Sequence, residues 1–248
     1  MKIVATIEAR MASSRLPGKV LLPLAGEPAL VRMVERARRS SRLDAVVVAT
    51  TSEPSDNPVA ALCAEKGIAF YRGSQEDVLS RVLRAAESVQ ADIIVELTGD
   101  CPLIDPSHID AMVELYLTGG YDYVNNRLHP GYPDGLDCQV FSVQALARVD
   151  GLTSDPIDRT HVSSFFYREP GRFRVGGPRL RESDEEYWPD LGITLDEEGD
   201  YLLLSRIYAE LYPAKPGFTT SDVLRLLRAN PQWLALNKDV RRKELHEG

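Results

Sequence analysis

Short β-branched runs alternate with amphipathic stretches through the first half of the chain, and that alternation marks βα units around a mainly parallel sheet. Segments 3–7, 45–49 and 93–97 are apolar runs bounded by polar residues, as expected of strands buried on both faces; 68–71 is a shorter fourth. Between them, Leu30, Met33, Val34 and Ala37 share one helical stripe, as do Val78, Leu79, Val82, Leu83 and Ala86. Ser74 with Asp77 reads as the start signal of the second helix. A third helix is expected after Asp105, with Pro106 at its first position, Ile109, Met112, Val113 and Tyr116 inward, and Thr118-Gly119-Gly120 as its stop.

The second half is less regular. Segment 125–135 is dense in turn formers and predicts a functional surface loop before a strand over 136–141. A polar segment over 176–192 precedes Ile193-Thr194-Leu195, read as a last strand feeding a helix through Leu204, Ile207, Tyr208 and Leu211. From Thr219 a helix with Val223, Leu226 and Leu227 inward leads into a charged tail. No repeat, low-complexity tract or linker interrupts this pattern. The simplest organisation is one α/β domain over 1–218 with a helical extension, 219–248, packed on it.

Composition narrows the function classes. The chain has 248 residues, 44% of them apolar, enough to bury roughly three-quarters of its unfolded surface. Acidic residues outnumber basic ones 37 to 29, for a net charge of −8, which disfavours nucleic acid and anionic membranes as partners. Cys63, Cys101 and Cys138 form no CxxC and read as reduced thiols. No apolar run reaches about 18 residues, and a strand pattern begins at once, so the expectation is a soluble cytoplasmic protein.

The most unusual segment is Ala9-Arg10-Met11-Ala12-Ser13-Ser14-Arg15-Leu16-Pro17-Gly18-Lys19, directly after the first strand. Ligands of open α/β sheets bind in the crevice beyond the carboxyl ends of the strands, where this loop opens. Three cations in a loop of small side chains suit a nucleoside triphosphate; a solvated basic loop is the plainer alternative. It is not a Walker A motif, since Ser13 stands where a glycine is needed and Val20 where Ser or Thr is needed, and no GxGxxG follows the strand.

Asp100, in Thr98-Gly99-Asp100-Cys101-Pro102-Leu103-Ile104-Asp105, opens at the same edge and either holds Mg²⁺ or serves an ordinary turn. Asp196 follows the last expected strand as a metal ligand, a helix cap, or both. If the two converge, one metal is gripped from two strand ends. His108, His129 and His246 show no metal spacing, His161 lies on an expected helix, and Cys101 reads as a small buried thiol.

Taken in order, the basic loop, the Thr98–Asp105 segment and Tyr132-Pro133-Asp134-Gly135-Leu136-Asp137 resemble the SpsF-type spore coat polysaccharide biosynthesis proteins. These belong to the cytidylyltransferase superfamily, with the enzymes that make CMP-activated sialic and Kdo sugars. The similarity runs from the first strand to Asn237-Lys238. It implies a GT-A-like nucleotidyltransferase fold, Mg²⁺, and transfer of a nucleotide from a triphosphate, CTP favoured, to a sugar or sugar acid, with release of pyrophosphate in surface glycan biosynthesis. A rival reading by fold alone is a GT-A-type glycosyltransferase; a non-catalytic nucleotide-binding subunit is another.

By the same resemblance, Arg10, Arg15 and Lys19 are catalytic cations, and Glu8, Ala9, Ser13, Thr98 and Gly99 join them around the nucleotide. Asp100 and Asp196 match the metal ligands, although the segment reads Leu195-Asp196-Glu197-Glu198-Gly199-Asp200 where the superfamily has a VDTPED-like sequence. Asp134, Asp137, Arg159 and His161 match segments that face the acceptor. Glu8 stands where relatives commonly have Gln, and a carboxylate cannot donate as an amide does. A homodimer is also implied.

Overall fold

The computed structural model describes residues 1–169 and 171–242. His246 and the end of the expected C-terminal extension lie outside the described residues. β1 (Ile3–Glu8) leads through the basic loop, a 3-10 turn over Lys19–Leu21, and the hairpin β2 (Pro23–Leu24) and β3 (Glu27–Pro28) into α1 (Ala29–Ala37). β4 (Ala45–Thr51), α2 (Asn57–Glu65), β5 (Ala69–Gly73), α3 (Val78–Ser88) and β6 (Ile93–Thr98) continue the alternation. Next come α4 (Pro106–Gly119), β7 (Tyr123–Asn125), β8 (Gln139–Ser142), α5 (Val143–Asp150), α6 (Pro156–Thr160), α7 (Ser164–Arg168) and β9 (Val175–Gly176). α8 (Glu198–Leu211), α9 (Thr220–Ala229) and a 3-10 segment, Pro231–Leu236, follow.

The main sheet has the order β5-β4-β1-β6-β8-β7-β9. β5, β4, β1 and β6 are parallel, while β8 runs antiparallel to β6 and to β7. Alternation along the parallel strands splits the core. Ala5, Ile7, Val46, Val48, Val95 and Leu97 pack towards α1, α2 and α4. Val4, Val47, Ala49 and Ile94 face α3, α5 and α7. A third cluster joins α8 and α9 to Leu24, Leu103, Leu136, Ile193 and Leu195. No helix among the described residues is long and apolar enough to cross a membrane.

From β1 the chain goes first to β4 and β5 on one side, then returns to β6 on the other, so β1 and β6 flank a topological switch point. Glu8 pairs with Thr98 at its mouth. Just beyond, the Gly99 N–H donates to the Glu8 carbonyl oxygen at 2.9 Å, an approach so close that a Cβ on Gly99 would run into that oxygen. Gly99→Ala is expected to cost about 1–3 kcal/mol through overpacking. The readout is a lower urea midpoint at unchanged slope; an unchanged midpoint would refute the steric argument.

Several local expectations change. Residues 193–195 form no strand: Gly192 makes one isolated bridge to Asp134, and Ile193 and Leu195 are buried against helices with no ladder beside them. The expected strand over 136–141 is regular only from Gln139, because Asn126 pins the preceding residues, accepting from Cys138 N and donating to Leu136 O. Asp77 is the N-cap of α3, accepting from Ser80 N, while Ser74 accepts from Asp77 N. Asp196 does not cap α8. Glu197 does, in a reciprocal box with Asp200. α2 was not anticipated, since few of its residues, Val59 and Cys63 among them, are buried.

Candidate active site

The loop after β1 is held rigidly. Met11 O accepts from both Ser13 N and Gly18 N at 2.9 Å, and Met11 N donates to Asp56 at 2.6 Å. Gly18 has φ +71, a left-handed conformation suited to glycine, and it turns the chain into the short helix that begins with Lys19. Lys19 therefore projects from a fixed turn. Its Nζ lies 3.0 Å from Asp100 Oδ2 and 2.9 Å from Asp196 Oδ1, and Arg15 Nη2 lies 2.8 Å from the same Asp196 oxygen.

The two aspartates meet because the chain after Ile193 crosses the strand ends, where Leu195 N donates to Asp100 O at 2.7 Å. Asp200, fully buried beneath, accepts from the main-chain N–H groups of Asp196 and Glu197 and fixes that bend. Burial opposes ionisation of Asp100, but Lys19 and the hydrogen bonds it and Thr98 donate hold the carboxyl below its usual range. Burial likewise works against the Lys19 charge, and Asp100 and Asp196 more than restore it. The cluster is a partly enclosed set of balanced charges.

These groups line a cavity of about 290 Å³, together with Glu8, Ala9, Arg10, Ser13, Thr98, Gly99 and His161. Thus the structure brings together every residue expected around the nucleotide. The residues expected at the acceptor divide. His161, at the C-terminal end of α6, reaches the cavity. Arg159 turns away and pairs with Asp77 and Asp150, tying α6 to α3 and α5. Asp134 and Asp137 sit behind Cys101, paired with Arg127 at 3.5 and 3.2 Å, outside the cavity lining. Burial pushes Asp137 up to about 6, against the pull of Arg127.

Three further residues shape the site. Arg81 of α3 lines the cavity, and Arg242 reaches back from the tail to Asp200 at 2.8 Å and Asp196 at 3.6 Å. Glu96 of β6 is 4% exposed and lies within hydrogen-bonding reach of Glu8. A carboxylate inside a buried apolar strand was the available signal for Glu96, and a cation on the apolar stripe of α3 was the signal for Arg81.

Burial, countered chiefly by Arg81, pushes the Glu8 carboxyl from 4.5 up to about 7; Glu96, Asp100 and Arg10 also act on it. Burial and the neighbouring Glu8 raise Glu96 well above the ordinary carboxyl range. Above pH 4.5 an unfolded chain loses the Glu8 proton, whereas the folded chain keeps it until about pH 7. The contribution of this group to stability therefore falls as pH rises through that window. Glu8→Gln is expected to gain stability over the native sequence between about pH 5 and pH 7.5 in thermal melts. Parallel melting profiles would contradict this.

Compared with solved structures, the chain superposes on a cytidylyltransferase from Leptospira borgpetersenii with a TM-score of 0.88 and 30% identity, over 98% of this chain and 99% of that one. The fold is that of the nucleotidyltransferases. Residues 4–208 match the cytidylyltransferase family, and the chain belongs to that family. It is 31% identical to the spore coat polysaccharide biosynthesis protein SpsF of Bacillus subtilis, over 92% of this chain and 95% of that protein. It is 32% identical to 3-deoxy-manno-octulosonate cytidylyltransferase of Chlorobium phaeobacteroides, over 71% of this chain and 67% of that protein.

Proposed function

We propose that this protein transfers CMP from CTP to a sugar-type acceptor in glycan biosynthesis. An acceptor oxygen attacks the α-phosphorus, the bond to the bridging oxygen breaks, and pyrophosphate leaves with the electron pair. The observation that carries this reading is the convergence of Asp100 and Asp196 on one ammonium, Lys19, beside the loop that bears Arg10 and Arg15. Relatives 31% and 32% identical to this chain bear names that specify polysaccharide biosynthesis and cytidylyl transfer, in keeping with this reading.

The donor set suits a hard divalent cation. Two carboxylates are what Mg²⁺ takes when substrate phosphates and water complete its shell. Among the described residues no group of three or more His, Cys, Asp or Glu is arranged to hold a metal ion. When bound by Asp100 and Asp196, Mg²⁺ would supply charge neutralisation at the phosphates. In this reading Lys19 and Arg15, which balance the two carboxylates here, would hold the triphosphate together with Arg10, which lines the same cavity. Catalysis is then mainly positioning and electrostatic stabilisation.

The test is a pyrophosphate-release assay crossing the four ribonucleoside triphosphates with sugars, sugar acids, sugar phosphates and phosphorylated alcohols, with Mg²⁺ and with excess chelator. CTP-dependent release that chelation abolishes supports the reading. Turnover of a preformed nucleotide sugar with release of free nucleotide would instead make it a glycosyltransferase. Saturable CTP binding without turnover across the panel would make it a binding subunit. The proposal extends to a cytoplasmic homodimer, which light scattering tests as a doubled mass in solution.

A further inference from the structure

The segment that delivers Asp196 has no strand ladder to hold it. Ile193 N donates to the Asp134 carbonyl oxygen and Leu195 N to that of Asp100, both at 2.7 Å. Further anchors come from two residues of the tail, Asn237 and Arg242, which lie beyond the residues that match the family. Asn237 Nδ2 donates at 2.9 Å to the Gly192 carbonyl oxygen and, at the same distance, to Asp200 Oδ1. Arg242 donates through Nη2 to Asp200 Oδ1 at 2.8 Å, and through Nη1 to Asp200 Oδ2 at 3.2 Å and Thr194 Oγ1 at 2.5 Å. Its guanidinium lies against Gly192, where a Cβ would come within 2.6 Å of Nη2, Nε and Cζ.

Asp196 is thereby flanked by cations of two kinds. Arg15 and Lys19 meet its Oδ1, and both line the cavity. Arg242 stands 3.6 Å from Oδ2 and is not among the cavity-lining residues. It also lies 3.8 Å from Asp134, between two groups of like charge. A triphosphate entering the cavity draws Lys19 and Arg15 towards its own oxygens, whereas the fork of Arg242 on the fully buried Asp200 remains in place.

We propose that Arg242, helped by Asn237, is a positioning residue: the tail clamps segment 192–196 so that Asp196 keeps its place beside Asp100 when Lys19 and Arg15 turn to the phosphates. The inference rests on the cytidylyl-transfer reading with a divalent cation at the two aspartates, and it names the part of the chain that orients one of them. Partners that orient a metal ligand from behind strongly affect how well it binds. An arginine suits the task because one planar fork engages Asp200 and Thr194 together, which a lysine ammonium does not reproduce. Charge alone predicts the opposite effect. Arg242 repels a cation at Asp196, so its removal without loss of position would tighten Mg²⁺ binding.

The sign of the change is read by calorimetric titration of CTP into the full chain, once with Mg²⁺ and once with excess chelator. The ratio of the two affinities is the metal's contribution. Arg242→Ala is expected to lower that ratio by about tenfold, while the affinity measured with chelator stays within about threefold of the native value. Gly192→Ala keeps every charge but drives the guanidinium from its seat, and the same loss is expected. A ratio unchanged or raised in a folded Arg242→Ala protein, or a native ratio in Gly192→Ala, would overturn the proposal. If Arg242→Ala does not fold, Gly192→Ala decides alone. A native chain that binds CTP no better with Mg²⁺ than with chelator removes the metal from the site, and the proposal with it. A metal contribution that both variants lose, in a chain that releases no pyrophosphate with any acceptor, leaves the clamp standing and removes the transferase reading.

Discussion

Asp100→Asn is expected to lower CTP-dependent pyrophosphate release by about a hundredfold or more, the scale of losing a preorganised charge-stabilising group. The substitution keeps the shape of the side chain and removes its charge. Asp100 accepts from Lys19 at 3.0 Å and shares that ammonium with Asp196, so the variant leaves Lys19 with one carboxylate partner in place of two. The main-chain bond from Leu195 N to Asp100 O does not involve the side chain, and the local fold is expected to persist. The fall should therefore appear in kcat at unchanged melting temperature, and Mg²⁺ should saturate the variant only at higher concentration. Near-normal turnover in a folded protein would remove Asp100 from the chemistry.

Asp200→Ala is expected to cost about 3 kcal/mol of stability, the range for breaking a buried, hydrogen-bonded ion pair and a helix cap together. Asp200 is fully buried and accepts from the Asp196 and Glu197 N–H groups, from Asn237 at 2.9 Å and from Arg242 at 2.8 Å. Its loss frees the bend that carries Asp196. Arg242 is partly exposed, so water recovers some of its solvation, which keeps the cost near the lower end of the range for a buried pair. Urea unfolding measures the change, and a shift worth less than about 1 kcal/mol would show that α8 and the tail hold the bend without Asp200.

The parts of the site that were legible in the sequence are those whose information is local. The basic loop announces itself by three cations directly after a buried strand, and Gly18 supplies the left-handed turn that aims Lys19. Asp100 was legible from its place directly after another buried strand, 93–97. The meeting of Asp100 with Asp196 was a conjecture, because the segment that delivers Asp196 looks like a strand but makes only one bridge to its neighbours. Pattern alone does not distinguish a buried crossing from a buried ladder. Arg159 illustrates the opposite error: it lies two residues from His161, yet helical geometry directs it to Asp77 and Asp150 and not to the cavity. Arg242 was read as part of a charged tail, since only the packing of α8 and α9 brings it back beside Asp196.

The Lys19–Asp196 contact joins groups 177 positions apart. The second carboxylate that completes the pair is therefore synthesised long after Lys19 and the strand that precedes it. Fragments that stop before Asp196 would retain the basic loop and Asp100 but no complete constellation. In this architecture the charged cluster is completed late in synthesis, when Asp196 joins a loop made much earlier.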